Sequence, residues 1–273
     1  MQYQVIDVFT DELFGGNSAG VCLLDSWLPE AAMQSIAAEN RLSETAFLVK
    51  RDGYYDVRWF TPTIEVSLCG HATIASSFVL FEDYEKDADS LVFKSKSGTH
   101  PVSRESDLYY LDFPAMPATP WPIYPAIVKS FGFKPSAAFM AMDYMVLVDS
   151  EETLRNLRPD FAVLKQLADE AESGTGDFGV IVTSTCTGCD CDYVSRFFAP
   201  SAGIDEDPAT GRAQCSLAPF WSKELGKAKL IAKQLSQRGG LLFCEDRGER
   251  VRIGGHAVRY MRGEIAYPSG LAT

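Results

Sequence analysis

Arg58-Trp59-Phe60-Thr61-Pro62 and Arg196-Phe197-Phe198-Ala199-Pro200 are one phrase written twice in the same chain. Each is followed by a turn of small and polar residues. The first turn reads Cys69-Gly70-His71-Ala72-Thr73 and the second Asp207-Pro208-Ala209-Thr210-Gly211. A constant offset of 138 residues lines the two stretches up, and 138 is about half of the 273-residue length. A chain of this kind is constrained to two similar units, each delivering one helix N-terminus. The first N–H groups of a helix have no internal partner, and the helix dipole favours an anion there. Two such ends suit a small anionic molecule in a cleft shared by the halves.

The pattern along the chain is α+β. Short strands are predicted at 3–9, 20–24, 46–49, 55–60, 90–95 and 108–113, with helices at 29–40 and 71–81. The second half repeats the plan with strands near 144–149, 178–183 and 193–198, a helix at 160–171 and another after Asp207. Strands around 241–243, 250–253 and 257–261 close the chain. The 71–81 helix has little polar face, since Ala72, Ile74, Ala75, Phe78, Val79, Leu80 and Phe81 leave almost none. A helix apolar nearly all round is surrounded by protein, so strands have to wrap around it. Prolines 114, 117, 120, 122 and 125 suggest the linker. The domains are expected at 1–116, with 262–273 available to complete it, and at 117–261.

A hydrophobic content of 46% with 23% charged residues describes an ordinary globular chain, and the net charge of −12 disfavours nucleic acid and anionic membranes as partners. No apolar run reaches the roughly 18 residues of a membrane span. Asp7, Asp11 and Glu12 interrupt any early apolar leader. Seven cysteines without a secretory signal are expected to be reduced, in a cytoplasmic protein.

Four features carry candidate chemistry. Glu44 lies in a Ser43-Glu44-Thr45 connection beside apolar neighbours, where lost solvation raises a carboxyl pKa toward general acid/base use. His71 lies in the first turn of a helix, where a positive helix end favours neutral imidazole. Asp207 reads as an N-cap with Pro208 in the first helical position, and Gly70 and Gly211 allow close approach to backbone. Cys186, Cys189 and Cys191 lack a second spaced pair, so a hairpin is expected there rather than structural zinc. Gly15-Gly16 and Gly239-Gly240 lack the context of a dinucleotide site.

Together, Phe14-Gly15-Gly16-Asn17, Ser43-Glu44-Thr45-Ala46-Phe47, the two arginine phrases, Cys69-Gly70-His71-Ala72-Thr73 and Glu206-Asp207-Pro208-Ala209-Thr210-Gly211 resemble the phenazine-biosynthesis PhzF-like family of isomerases and epimerases. The resemblance covers essentially the whole chain. It implies a diaminopimelate epimerase-like fold, with two domains that each curl a mostly antiparallel sheet around a central helix. It further implies a site in the interdomain cleft, a homodimer, and neither metal nor organic cofactor. In such proteins the glutamate matching Glu44 transfers the proton, and the residues matching His71 and Asp207 line the site. By the same analogy, amides at Gly70 and Gly211, with Thr210, hold a substrate carboxylate. The founding activity isomerises a dihydro-hydroxyanthranilate. Racemases of this fold use two cysteines, one per helix start. Here the 138-residue register sets Cys69 against Asp207, which disfavours a two-thiol reaction. Arg212 stands where the family has a small residue, often serine, so it pairs with an acid such as Glu206 or Asp207 or meets an anionic substrate group. A binding protein without catalysis is the alternative, with an amino-acid racemase or epimerase behind it.

Overall fold

The computed structural model describes residues 1–170, 179–188 and 190–266. The chain forms two compact units. One runs from Met1 to Asp112 and resumes at Gly254; the other is Phe113–Ile253.

In the first unit, β1 (Gln2–Val8) and β2 (Asn17–Leu24) pair antiparallel. Their turn needs glycine at position 16: φ is +59°, and a Cβ there would stand 2.0 Å from the Val8 carbonyl oxygen. Helix α1 (Glu30–Asn40) crosses to β3 (Glu44–Lys50), which lies parallel to β2. β4 (Tyr55–Phe60) returns antiparallel, and the short β5 (Glu65–Val66) folds back on β4. Helix α2 (Gly70–Asp83) crosses to β6 (Ser90–Ser95), parallel to β4, and β7 (Gly98–Glu105) and β8 (Leu108–Pro114) follow antiparallel.

The second unit begins with β9 (Thr119–Pro120), α3 (Pro125–Phe131), β10 (Ala137–Met140) and β11 (Tyr144–Leu147). It continues through α4 (Glu151–Asn156), α5 (Phe161–Glu170), β12 (Val180–Thr185), β13 (Tyr193–Ala199) and β14 (Ile204–Asp207). Then come α6 (Gly211–Leu225), β15 (Lys229–Gln234), β16 (Gly240–Asp246) and β17 (Arg250–Gly255). Its pairings copy the first unit. β11 and β12 are parallel, β12 and β13 antiparallel, β14 folds back on β13, and α6 crosses to β15, parallel to β13. The last strand, β18 (Ala257–Glu264), pairs antiparallel with β1. The sequence-predicted linker is more structured than expected. Pro125 opens α3, where its missing N–H costs nothing, and Ala126, Ile127 and Phe131 join the second core.

Both long central helices find hydrogen-bond partners for polar groups hidden along their length. In α2, Thr73, Ser76 and Ser77 are buried beside Ile74, Val79, Leu80 and Phe81. Their hydroxyls donate back to the carbonyls of Cys69, Ala72 and Thr73 at 2.6, 2.7 and 2.7 Å. In α6, Pro219 has no N–H to give the Cys215 carbonyl, and Met116 N–H supplies that bond at 2.9 Å.

The arginine phrases anchor the two units in the same way. Arg58 donates Nε and Nη2 to the two oxygens of Glu65 at 2.7 and 2.8 Å, and Arg196 does the same to Glu206 at 2.7 and 2.9 Å. The equivalence of Glu65 and Glu206 changes the register. The arginines are 138 residues apart, but the glutamates and the helix starts at Gly70 and Gly211 are 141 apart. The second copy holds three more residues between its proline and its helix, and a short 3₁₀ turn at Pro200–Ala202 takes them up. The gap-free alignment expected from the sequence is therefore corrected. Cys69 corresponds to Thr210, and His71 corresponds to Arg212.

Arg196 also donates Nη1 to the carbonyls of Leu154 and Leu157 at 3.1 and 2.7 Å, and its side chain is 8% exposed against 19% for Arg58. Arg196→Met, which leaves Glu206 and both carbonyls unpaired, is expected to cost about 3–5 kcal/mol. Arg58→Met is expected to cost less, about 1–3 kcal/mol. Hydrogen exchange at the β13–β14 and β4–β5 amides reads the two separately, and equal losses would contradict this ranking.

Candidate active site

Three side chains of the first unit meet at the start of α2. Glu44 is the first residue of β3, in register with Ala19 of β2, rather than part of a turn. Arg41 at φ +53° ends α1 and redirects the chain toward it, and Ser43 Oγ donates to Asn17 Oδ1 at 3.0 Å. Cys69 is the extended residue capping α2, at φ −144° and ψ 110°. His71 follows in the first turn. Its Nε2 lies 3.1 Å from Glu44 Oε2, and its Nδ1 lies 3.6 Å from Cys69 Sγ. The imidazole and carboxylate side chains are 9% and 16% exposed. The 3.1 Å approach is an ion-pair contact rather than an aligned hydrogen bond, so Oε2 and Nε2 are both buried without one.

The electrostatics reverse two expectations. Burial pushes the Glu44 carboxyl up, but the charge on His71 and the close polar contacts of His71 and Cys69 outweigh it, and the pKa falls below the usual 4.5. Burial likewise works against a charged His71, yet Cys69 and Glu44 raise its pKa well above 6.5. The expected raised glutamate and neutral histidine are thus both corrected. The sequence showed the apolar neighbours of each group but not that the two were neighbours of one another. The Cys69 thiol is pushed up to about 11, by burial first and then by the Glu44 charge.

The second unit builds its helix start differently. The capping residue of α6 is Thr210, at φ −114° and ψ 102°, while Asp207 ends β14. The expectation that Asp207 caps the helix, with Pro208 in its first turn, is therefore corrected. β14 pairs Asp207 with Phe197, which keeps it extended. The Thr210 hydroxyl donates to Asp207 Oδ2. Gln234, fully buried, accepts from Thr210 N–H at 2.9 Å and donates to the Asp207 carbonyl at 2.7 Å. Nothing in its Lys-Gln-Leu-Ser setting signals that role. Gly70 and Gly211 are the first residues of α2 and α6, and neither has positive φ.

Strand register identifies the counterpart of Glu44. Phe47 faces Arg58 and Val182 faces Arg196, so three residues earlier Glu44 matches Gly179. A Cβ at Gly179 would lie 2.2 Å from the Phe197 ring and 2.8 Å from Asp143 Oδ1. The second unit thus carries no carboxylate on that strand. Asp143, 2% exposed, instead accepts from Gly179 N–H at 3.0 Å and pairs with Arg212 at 3.0 Å. The Arg212 guanidinium also lies over the Phe197 ring at 5.4 Å. Sequence reasoning proposed Glu206 or Asp207 as partners of Arg212 and missed Asp143, which is distant in the chain. Glu206 is instead the bidentate partner of Arg196.

Among the described residues, one group could hold a metal: Glu44, Cys69 and His71 offer ligand atoms within 4.8 Å of one another. Cys186 is disulfide-bonded, which corrects the all-reduced expectation at that position, and Cys189 lies outside the described residues. Cys22, Cys69, Cys215 and Cys244 are free thiols. No helix among the described residues is long and apolar enough to cross a membrane.

The Glu44–His71 contact makes stability depend on pH. A carboxyl with a lowered folded pKa adds stability above its unfolded value near 4.5 and loses it as pH falls through the folded value. An imidazole with a raised folded pKa adds stability below 6.5 and loses it as pH rises through the folded value. The pair's contribution is therefore full between pH 4.5 and 6.5. His71→Asn is expected to cost about 3 kcal/mol in that window and less at alkaline pH. Thermal melts across the pH range measure this, and a cost that grows toward alkaline pH would contradict the assignment.

Comparison with known proteins agrees with this architecture. Residues 6–263 match the family described as Phenazine biosynthesis-like protein. An uncharacterized isomerase of Pseudomonas aeruginosa is 45% identical over 266 residues, spanning 97% of this chain and 98% of its own. The crystal structure of a PhzF-family phenazine biosynthesis protein from Enterococcus faecalis superposes with a TM-score of 0.91 at 44% identity, covering 97% of this chain and 99% of that one. A hydroxyproline epimerase from Agrobacterium vitis, 11% identical with a TM-score of 0.60 over 100% and 94% of the two chains, shares the fold alone. This chain, with its α+β repeat and an equivalent helix start in each unit, belongs to the phenazine biosynthesis-like (PhzC–PhzF) family.

Proposed function

We propose that this protein is an isomerase that moves a proton on a small carboxylate-bearing metabolite without a cofactor, with Glu44 as general base and acid. The observation that carries the reading is the largely buried carboxylate of Glu44 held 3.1 Å from His71, a neighbour whose charge lowers its pKa. A base must rest deprotonated. A lowered pKa keeps Glu44 in that state at neutral pH, and desolvation keeps it reactive. Glu44 takes a proton from an activated carbon, and as the neutral acid returns it to another carbon of the same skeleton. His71 holds the carboxylate in place before the first transfer and stabilises it again after the second.

The repeat supports a one-carboxylate mechanism. Gly179 matches Glu44 and Thr210 matches Cys69, so neither a second carboxylate nor a second thiol exists at the equivalent positions. Two-thiol racemisation is disfavoured by the corrected register, as it was by the sequence. Substrate binding falls to His71, Asp207, Thr210, Arg212 and the amides of Gly70 and Gly211. Arg212 corresponds to His71 and supplies a permanent charge with planar, two-point geometry for a carboxylate. Asp143 is the residue that positions it. The isomerase names carried by relatives agree with this reaction class.

The test is solvent deuterium uptake across a panel of small unsaturated and cyclic carboxylates. For the compound that exchanges, Glu44→Gln is expected to lower the rate by about 10²–10⁴-fold. Cys69→Ala is expected to cost less than about tenfold, because the thiol only adjusts its neighbours. Arg212→Met is expected to act mainly on KM. Full exchange by Glu44→Gln would reject the role of that residue. A loss in Cys69→Ala as deep as in Glu44→Gln would favour a two-base reaction.

A further inference from the structure

From the side chains gathered at the start of α2, we infer that Glu44, Cys69 and His71 form a binding site for a thiophilic divalent cation, zinc above all, and that an ion bound there blocks proton transfer. The inference deepens the reading of Glu44 as the proton carrier and rests on it for the inhibitory half only.

The donor set is the argument. A thiol sulfur, an imidazole nitrogen and a carboxylate oxygen are three ligand types that zinc takes, and three protein ligands with one open position are the pattern of accessible zinc sites. The ligand atoms lie within 4.8 Å of one another. Zinc–ligand bonds of about 2.0–2.3 Å in a tetrahedron set donors about 3.3–3.6 Å apart. The Cys69 Sγ to His71 Nδ1 distance is already 3.6 Å, and the His71 Nε2 to Glu44 Oε2 distance is 3.1 Å. One metal uses one ring nitrogen, so the imidazole and the Glu44 side chain must turn to close the set. The remaining contraction is about 1 Å.

Two further observations point to a ligand. Glu44 Oε2 and His71 Nε2 face each other at 3.1 Å, buried and without an aligned hydrogen bond, and one ion can take both as ligands. The charges also balance. A dication, a thiolate and a carboxylate sum to zero, so the complex avoids the cost of a lone buried charge. Sulfur and nitrogen donors favour zinc, cobalt and copper over magnesium and calcium. In the bound state the metal occupies the Glu44 oxygen that would accept the substrate proton and displaces two protons to solvent, one from the Cys69 thiol and one from the His71 imidazolium.

Cobalt(II) substitution tests the site without any substrate. Titrating the metal-free protein with Co²⁺ is expected to produce a thiolate-to-cobalt absorption band that Zn²⁺ abolishes and Mg²⁺ does not. Cys69→Ser is expected to remove the band. Because loss of an outer hydrogen-bond partner alone costs about 10–100-fold in metal affinity, Glu44→Gln, which removes a ligand and keeps the thiol, is expected to cost more. Circular dichroism checks that both variants fold. Absence of the band in the unsubstituted protein would overturn the site. So would a band that survives in Cys69→Ser, since another cysteine would then be the ligand. With a true substrate, Zn²⁺ is expected to stop deuterium exchange and a chelator to restore it. A cobalt band that depends on Cys69 and Glu44, together with exchange unaffected by saturating Zn²⁺, would keep the metal site and reject Glu44 as the proton carrier.

Discussion

Each repeated phrase begins with an arginine that grips a glutamate with two parallel hydrogen bonds, and both helix starts are positioned from that grip. Arg58 and Arg196 hold the segment that follows their strand against the sheet, through Glu65 and Glu206. Two-point guanidinium–carboxylate contacts fix orientation as well as distance. The carboxyl of Glu65 is pulled down to about 2 by the Arg58 hydrogen bonds, so the grip persists through any physiological pH. From this fixed point the chain has four residues to reach Cys69 in one unit and four to reach Thr210 in the other. The capping residues and the basic residues two places on are therefore equivalent by construction.

On that shared scaffold the two helix starts have diverged. The first carries a titratable trio, Glu44, Cys69 and His71, in which mutual attraction outweighs burial at Glu44 and His71 while burial holds the Cys69 thiol protonated. The second carries groups of fixed state: a hydroxyl at Thr210, an amide at Gln234, and the guanidinium of Arg212 held by Asp143. Groups that move protons need pKa values that neighbours can adjust, whereas groups that bind an anion need charge that persists. Under the proposed function, the division between halves follows that distinction. A single position makes the asymmetry: glycine at 179, with Phe197 and Asp143 in the space of a side chain, leaves no second carboxylate at Glu44's place in the repeat.

Much of the scaffold was legible in the sequence. The repeated phrase announced the two units, and the apolar belt from Ala72 to Phe81 announced a surrounded helix. Glu44 and His71 stand out by type and setting, and Arg212 stands out by its departure from the pattern of the family that the chain resembles. What stayed hidden had long-range causes. The three-residue insertion lies in a turn of unremarkable composition, and only the Glu65–Glu206 equivalence exposes it. The partner of Arg212 comes from Asp143, 69 positions away in the chain. The protonation states of Glu44 and His71 depend on a contact between residues 27 positions apart, so lone-residue arguments from burial or helix dipole gave each the wrong sign. Gln234 sits in a strand whose pattern says nothing of the helix it supports.

The central claim is the location of a proton: on His71, with Glu44 ionised beside it. Nuclear magnetic resonance of the labelled His71 ring nitrogens and Glu44 carboxyl carbon, followed from acid to alkaline pH, tests it most directly. The account requires an imidazolium at neutral pH and a Glu44 midpoint below 4.5. A neutral His71 ring at pH 7 with a Glu44 midpoint above 4.5 would contradict it.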